Sequence, residues 1–157
     1  MRKDLKGKTL TDSDLSYQDL CNANLSLSDL TNTKLVGCNL VNAELEGAIL
    51  SNAVLDNADL TGADLYMSML YGASMQNVNL TGASMLGAIL READLSGANL
   101  SDADLGPSNI GTRTKLQGAN LSNTRLSNTK FTEAEYDDNT RFPIGFDPKE
   151  NGLIFRS

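Results

Sequence analysis

Every fifth residue from Leu5 to Ile110 is a large aliphatic side chain, and nineteen of these twenty-two residues are Leu. The spacing excludes a regular α-helix, because five helical steps rotate a side chain by about 500° and successive Leu would spread around the cylinder. It also excludes a straight strand, because five steps would place successive Leu on opposite faces. The chain must therefore turn a corner once in every five-residue unit.

The residue two places before each large side chain is small, and twelve of the seventeen such residues between Ala23 and Ala103 are Ala. The pattern is satisfied if both residues point into a core, the residue between them points outward, and the next two form a corner. The corner residues support this interpretation, because Asn and Gly tolerate positive φ. They are Asn22, Asn32, Asn42, Gly47, Asn52, Asn57, Gly62, Gly72, Asn77, Gly82, Gly87 and Gly97. The predicted core includes Leu40, Leu60, Met75, Leu80, Met85 and Leu100.

Units such as Ala58-Asp59-Leu60-Thr61-Gly62 and Ala98-Asn99-Leu100-Ser101-Asp102 resemble those of the pentapeptide-repeat protein family, over roughly Ser13 to Tyr136. The resemblance implies an all-β fold, a right-handed quadrilateral β-helix with four pentapeptides in each coil. We predict this solenoid over residues 13–136, preceded by an N-terminal cap at 1–12 and followed by a C-terminal capping tail at 137–157. Lys3 and Lys8 indicate the N-terminal cap, because they occupy the inward small position, where a buried ammonium is costly.

The period slips by one residue between Gly106 and Arg113. Pro107 and Gly111 can absorb an extra residue at a corner, so the sequence favours a bulge over a functional loop.

All four Phe lie in the last 27 residues, at positions 131, 142, 146 and 155, which predicts a plug over the last coil. Asp147, Pro148 and Glu150 have the pattern of a helix N-terminus and predict a short helix within this cap. The segment 142–148 resembles tails that follow the repeats in many cyanobacterial members of the family. In some relatives this end mediates dimerisation, so a homodimer through the C-terminal end is the alternative to a plug.

Composition argues against catalysis, because the chain lacks His, the commonest acid–base catalyst and metal ligand. We expect no enzymatic activity, no metal and no cofactor. No apolar run is long enough to span a membrane and no signal peptide is visible, so we expect a cytoplasmic protein without membrane contact. The formal charge is −7, and residues 12–110 alone carry thirteen acids against Lys34 and Arg91, which argues against direct nucleic-acid binding.

Stacking the chain at twenty residues per coil aligns Ile49, Met69 and Ile89 at the outward position of one face, between Asp29 and Asn109. Tyr71 lies beside them, and the adjoining face adds Tyr66 and Leu86, with Met67 at the corner. An exposed apolar cluster of this kind predicts a protein-binding surface, although such side chains can also stabilise the coil by covering one another.

The acidic residues predict a second candidate surface, formed by Glu44, Asp59, Asp64, Asp94 and Asp104. Some members of the family protect DNA gyrase from fluoroquinolones by mimicking duplex DNA, so the resemblance implies an acidic DNA mimic that binds a topoisomerase as one alternative. The leading hypothesis is a non-enzymatic scaffold that binds an unidentified protein partner. A purely structural spacer is the third hypothesis.

Overall fold

Over most of the chain the backbone pairs with itself at an interval of twenty residues in the computed structural model, which describes residues 2–157. Asp29 pairs with Ile49, Ile49 with Met69, and Met69 with Ile89, always in parallel and twenty residues apart. Four such series of bridges run along the chain, so each coil has four sides, and neighbouring coils are about 4.8 Å apart. The fold is the predicted quadrilateral β-helix.

We name the four series columns A to D by their outward residues. Column A contains Asp4, Asn24, Glu44, Asp64, Ser84, Asp104 and Lys130. Column B contains Thr9, Asp29, Ile49, Met69, Ile89, Lys115 and Glu135. Column C contains Asp14, Lys34, Val54, Ser74, Asp94, Asn120 and Arg141. Column D contains Asp19, Asn39, Asp59, Asn79, Asn99 and Arg125.

Each corner is a hydrogen-bonded turn between two sides. In the unit at Leu50, the amide of Ala53 donates to the carbonyl of Leu50 at 3.0 Å, and Asn52 between them has a φ of 57°. The neighbouring coil is held by the amide of Leu50, which donates to the carbonyl of Met69 at 2.7 Å. All twelve corner residues that the sequence predicted have positive φ, which confirms the role of Asn and Gly in the repeat.

Leu and Ala fill the interior. The six core residues named from the sequence have no exposed surface. Two inward polar residues donate to backbone carbonyls: Ser28 to that of Leu25 at 2.7 Å, and Thr33 to that of Leu10 on the preceding coil at 2.8 Å. The buried hydroxyl of Ser68 has no hydrogen-bond partner. Because each coil contacts only its neighbours, stability accumulates along the rod as local terms.

The first residues follow the path of the coil, although the sequence predicted a separate cap. Asp4 pairs with Asn24 and Thr9 with Asp29, so residues 4–12 belong to the first coil. Met1, the first residue of the expected cap, lies outside the described residues. Lys3 and Lys8 are exposed although they occupy inward positions, because no coil in the described part of the chain covers this end. Leu5, Leu10 and Leu15 are therefore only partly buried.

Lys3 and Lys8 should prevent self-association through this end, because stacking two such ends would bury their ammonium groups. We expect the double variant Lys3→Ala/Lys8→Ala, which restores the small inward residue of the repeat, to form concentration-dependent dimers. Association should stop at the dimer because the opposite end is covered. Sedimentation velocity over about 10–300 μM checks this expectation. Lys6→Ala/Lys149→Ala removes two exposed Lys elsewhere and should stay monomeric; equal sedimentation of both variants would contradict the prediction.

One coil is longer than the others. Ile89 pairs with Lys115 and Asp104 with Lys130, twenty-six residues apart instead of twenty. The slip that the sequence shows as one residue is thus an insertion of six residues at the corner between columns A and B. Two expectations are corrected. Ile110 continues the fivefold spacing but lies outside the core, because Leu116 takes the next inward position, and Lys115 rather than Asn109 follows Ile89 in column B.

The C-terminal residues cover the last coil. Strand β1 (Glu135–Tyr136) pairs in parallel with strand β2 (Ile154–Phe155), which adds one more level to column B. Aromatic rings close the interior, with the Phe131 and Phe146 centroids 5.5 Å apart and those of Phe142 and Phe146 5.1 Å apart. These contacts bury Phe131 and leave Phe142 and Phe146 partly buried.

The predicted short helix is a single hydrogen-bonded turn. The amides of Lys149 and Glu150 donate to Oδ1 of Asp147 at 2.8 and 3.2 Å, as an N-cap residue requires. The turn ends at Gly152, which has a φ of 80°, so no helix forms over this segment. Within residues 2–157, no helix is long and apolar enough to cross a membrane.

Candidate partner-binding surface

Three large apolar side chains follow one another in column B. Ile49 and Ile89 each pair with Met69, so the three lie side by side at the spacing of neighbouring coils. Asp29 precedes them and Lys115 follows them. Val54 in column C and Ile154, in the level that β2 adds to column B, are the other apolar outward residues in the described part of the chain. The neighbours of Val54, Lys34 and Ser74, are polar. We name Ile49, Met69 and Ile89 the apolar column.

Stacking covers this column only in part. Ile49 and Ile89 are half-buried, but Met69 is 43% exposed, and Tyr71 beside it is 44% exposed. The Tyr71 hydroxyl donates to Oε2 of Glu92 at 2.8 Å, which fixes the position of the ring. This hydrogen bond, together with the charge of Glu92, raises the pKa of Tyr71. The column and Tyr71 thus present an ordered apolar surface to solvent.

The adjoining residues Tyr66, Met67 and Leu86 have another neighbour, the inserted segment. The Tyr66 hydroxyl hydrogen bonds with the Asn109 side chain. A Cβ added to Gly87 would lie 2.9 Å from Sδ of Met67 and 3.0 Å from Cβ of Ser108, so Met67 and the insertion meet over this glycine. Leu86 lies close to Gly106, where the insertion begins. Tyr66, Met67 and Leu86 therefore lie against the insertion and support it. Their role differs from that of the apolar column.

The insertion is held firmly at its base. The amide of Ser108 donates to the carbonyl of Thr112 at 2.7 Å, and the amide of Thr112 donates to Oγ of Ser108 at 3.0 Å. The buried hydroxyl of Thr114 lies 3.0 Å from the carbonyls of Met85 and Gly106 and accepts from the amide of Gly87 at 3.0 Å. Ile110 lies at the tip of this loop with 75% of its surface exposed.

Leu27 is a surface residue that our sequence analysis did not identify. It occupies the same corner series as Met67, between columns A and B, has a φ of 59° and is 62% exposed. A branched apolar residue in the left-handed region costs about 1–2 kcal/mol. Its side chain lies over Gly47 of the next coil, as Met67 lies over Gly87. The signal was present in the sequence, because Leu and Met replace the Asn or Gly of the repeat at these two corners.

The acidic candidate residues are spread over three columns. Glu44, Asp64 and Asp104 lie in column A, where Glu44 pairs with Arg2 and Asp104 with Lys130 at 3.4 Å. In column D, Asp59 accepts hydrogen bonds from Thr61 at 2.6 Å and from Asn79 at 3.2 Å.

Asp94 in column C is bound on both sides. Gln76 donates to it at 2.8 Å, and Ser96 and Asn120 at 3.0 Å. Burial of Asp94 works against ionisation, but these hydrogen bonds outweigh it and lower the pKa of the carboxyl. The carboxylates of columns C and D thus stabilise the coil, and no single face collects all five acidic candidates.

The surface also has an open cleft lined by charged and polar side chains. This cleft of about 520 Å³ is lined by Arg91, Glu92, Gln117, Asp137 and Arg156, in which acidic and basic groups balance. Its groups are already bonded: Arg91 donates to Gln117 at 3.2 Å, and Arg156 to Glu135 at 3.3 Å. The described residues contain no cluster of Cys, Asp or Glu that could hold a metal ion.

Comparison with known proteins shows to which family the five-residue repeat belongs. The sequence profile of pentapeptide repeats matches in eight copies, over residues 10–47, 38–77, 73–106 and 112–135. The chain belongs to the pentapeptide-repeat family. The matched segments stop at Gly106 and resume at Thr112, so they leave out the insertion that the structure shows. The family fold is the right-handed quadrilateral β-helix that the resemblance implied.

Solved structures of pentapeptide-repeat proteins are similar to this one. HetL from the cyanobacterium Nostoc sp. strain PCC 7120, described as involved in heterocyst differentiation regulation, is 33% identical over 87% of this chain and 61% of its own, with a TM-score of 0.46. This chain therefore spans about three fifths of the length of HetL. Rfr23 from the cyanobacterium Cyanothece 51142 is 25% identical over 88% of this chain and 90% of its own, with a TM-score of 0.38.

QnrB1, a plasmid-mediated fluoroquinolone resistance protein, is 20% identical over 100% of this chain and 86% of its own, with a TM-score of 0.58. At this level of identity the similarity shows a shared fold and does not transfer a function. No curated protein sequence matches the chain significantly.

Proposed function

We propose that this protein is a non-enzymatic module that binds a protein partner through the apolar column and Tyr71. The observation that carries the proposal is the replacement of polar outward residues by Ile49, Met69 and Ile89 in three consecutive coils. The coil does not need these side chains for pairing, because columns A and D form the same bridges with polar residues.

Exposure supports binding over a purely structural role. If stacking were the only purpose of the column, its central residue should be covered by its two neighbours. Met69 instead leaves 43% of its surface in water, and the adjacent Tyr71 leaves 44%. Contact with a partner would remove this apolar surface from water, and Met and Tyr are enriched in protein interfaces. A spacer gains nothing from keeping these two side chains exposed.

The non-enzymatic part of the proposal rests on the absence of His from the sequence and on the family, whose members are generally structural or binding modules. We propose a cytoplasmic location, where the free thiols of Cys21 and Cys38 would stay reduced.

The acidic residues support a DNA mimic less well than the apolar column supports a protein-binding module. A mimic of duplex DNA needs rows of free negative charge along the rod, whereas two of the three column A candidates form ion pairs. Asp59 and Asp94 are occupied by hydrogen bonds within columns D and C. A gyrase supercoiling assay at low salt tests this alternative, since inhibition or protection there would favour it over the apolar column.

The triple variant Ile49→Asn/Met69→Asn/Ile89→Asn tests the proposed surface. Asn already occupies the outward position in Asn24, Asn79 and Asn120, so the coil should fold and its charge is unchanged. We expect quantitative cross-linking and mass spectrometry in a lysate of the source organism to recover a partner with the wild type and not with the triple variant. Val54→Asn, on column C, should recover the same partner. Equal recovery by the triple variant would refute the proposed site.

A further inference from the structure

The insertion between columns A and B is not needed to close the coil. Removing six residues after Gly106 would bring Thr114, Lys115 and Leu116 into the register that Ala88, Ile89 and Leu90 occupy one coil earlier. The chain instead orders these residues, and fixing a residue costs about 1–2 kcal/mol of backbone entropy. The hydrogen bonds of Ser108 and Thr112 keep the loop ordered and offset part of this cost.

The ordered loop presents an apolar side chain to water. Ile110 is 75% exposed, and its neighbours Asn109 and Gly111 are exposed as well. Gly111 has a φ of 82°, which allows the tight turn at the tip, and its amide donates to the carbonyl of Ser108 at 2.9 Å. The hydrogen bond between Asn109 and Tyr66 holds the tip against an earlier coil. A β-branched side chain on a fixed support loses little entropy when a partner buries it.

The surface around the tip is acidic on one side. Tyr66, which contacts Asn109, belongs to the same unit as Asp64 of column A, and Glu46 occupies the equivalent position to Tyr66 in the preceding coil. On the other side, Arg113 is held by Glu133 at 3.0 Å and by Glu135 at 3.9 Å. On the Tyr66 side of the loop, the charges outside ion pairs are thus carboxylates, whereas Lys115 lies on the other side, where the chain re-enters column B. A bound surface should therefore place basic groups against the Tyr66 side.

We propose that the loop 107–112 is a recognition loop that inserts Ile110 into an apolar hollow of a partner protein with a basic rim. This inference rests on the proposed function and adds a second contact and the chemistry of the partner. Nucleic acid does not fit, because the carboxylates repel phosphate and Ile110 offers it no hydrogen bond. A second copy of the chain would bring a second Asp64 and Glu46 toward the first pair.

Selection from a phage-displayed library of random twelve-residue peptides tests the chemistry of the loop without knowledge of the partner. We expect the peptides selected on the wild type to combine large apolar residues with Lys or Arg. By fluorescence polarisation, Ile110→Asn should weaken their binding about tenfold or more, a usual loss for a central apolar anchor. Glu46→Gln/Asp64→Asn should weaken it less, and binding should fall as salt rises.

A loop deletion provides the second variant. Removing residues 107–112 and replacing Arg113 with Gly restores the twenty-residue coil, and this variant should fold and lose peptide binding. Val54→Asn should bind like the wild type. Failure to enrich peptides, enrichment of acidic peptides, or equal binding by the deletion variant would overturn the recognition loop, as would self-association of the wild type that Ile110→Asn abolishes. Peptides that need the apolar column but not the loop would overturn this inference and leave the proposed function standing.

Discussion

We expect Leu55→Asp to abolish cooperative folding and Val54→Asp to leave the free energy of unfolding within about 1 kcal/mol of the wild type. The two residues are adjacent, and both changes replace an aliphatic side chain by a carboxylate. Leu55 has no exposed surface, so the new charge would lie unpaired in the interior of the coil. Val54 points outward in column C, where Lys34 on the neighbouring coil can face the new carboxylate.

Urea denaturation followed by circular dichroism distinguishes the two variants. The cost of Leu55→Asp should exceed about 5 kcal/mol, which is comparable with the whole stability of many domains. Leu55→Asn is the control for charge: it leaves a polar group buried without the carboxylate and should destabilise the protein less. Similar unfolding midpoints for Leu55→Asp and Val54→Asp would show that the assignment of inward and outward residues is wrong.

The repeat was predictable because one period determines both the core and the corners. Leu60 and Gly62 play roles that follow directly from their places in the five-residue unit, and the structure buries the first and gives the second a φ of 65°. The prediction was wrong where the period continues without the fold. Ile110 falls on the fivefold spacing by coincidence, since the chain leaves the coil at the corner that follows Leu105, where Gly106 and Pro107 lie. A spacing rule cannot distinguish a residue that points into the core from one that lies in an inserted loop outside the core.

The sequence predicted the candidate surface only along the axis of the coil, where the register of the repeat decides which residues are neighbours. Register places Ile49, Met69 and Ile89 side by side, and twenty residues per coil suffices for that. It gives no information on how a loop folds back over earlier coils, so the contact between Asn109 and Tyr66 could not be foreseen. Leu27 breaks the rule of Asn or Gly at corners, and the five-residue period gives no information on how much of such a side chain is exposed.

Gly87→Ala should cost about 2–4 kcal/mol, whereas Gly82→Ala should cost about 1 kcal/mol. Both glycines occupy corners with nearly the same φ, 69° and 66°, so the strain of placing a Cβ in the left-handed region is matched. The surroundings differ. A Cβ on Gly82 would meet no atom within 4 Å. A Cβ on Gly87 would lie 2.9 Å from Sδ of Met67, 3.0 Å from Cβ of Ser108 and 3.1 Å from the carbonyl oxygen of Thr112. Overpacking of this kind costs about 1–3 kcal/mol.

The loop deletion should show which neighbour of Gly87 causes the extra cost of Gly87→Ala. Ser108 and Thr112 belong to the insertion, so removing residues 107–112 leaves only the flexible end of Met67 near the new methyl group. Gly87→Ala in that background should cost about as much as Gly82→Ala, because a thioether can rotate away whereas a hydrogen-bonded loop cannot. A double-mutant cycle on unfolding free energies measures the difference, which we expect to be about 1–3 kcal/mol. A coupling of zero would mean that the loop is loose over Gly87, and Ile110 would then lack the fixed support that a recognition loop requires.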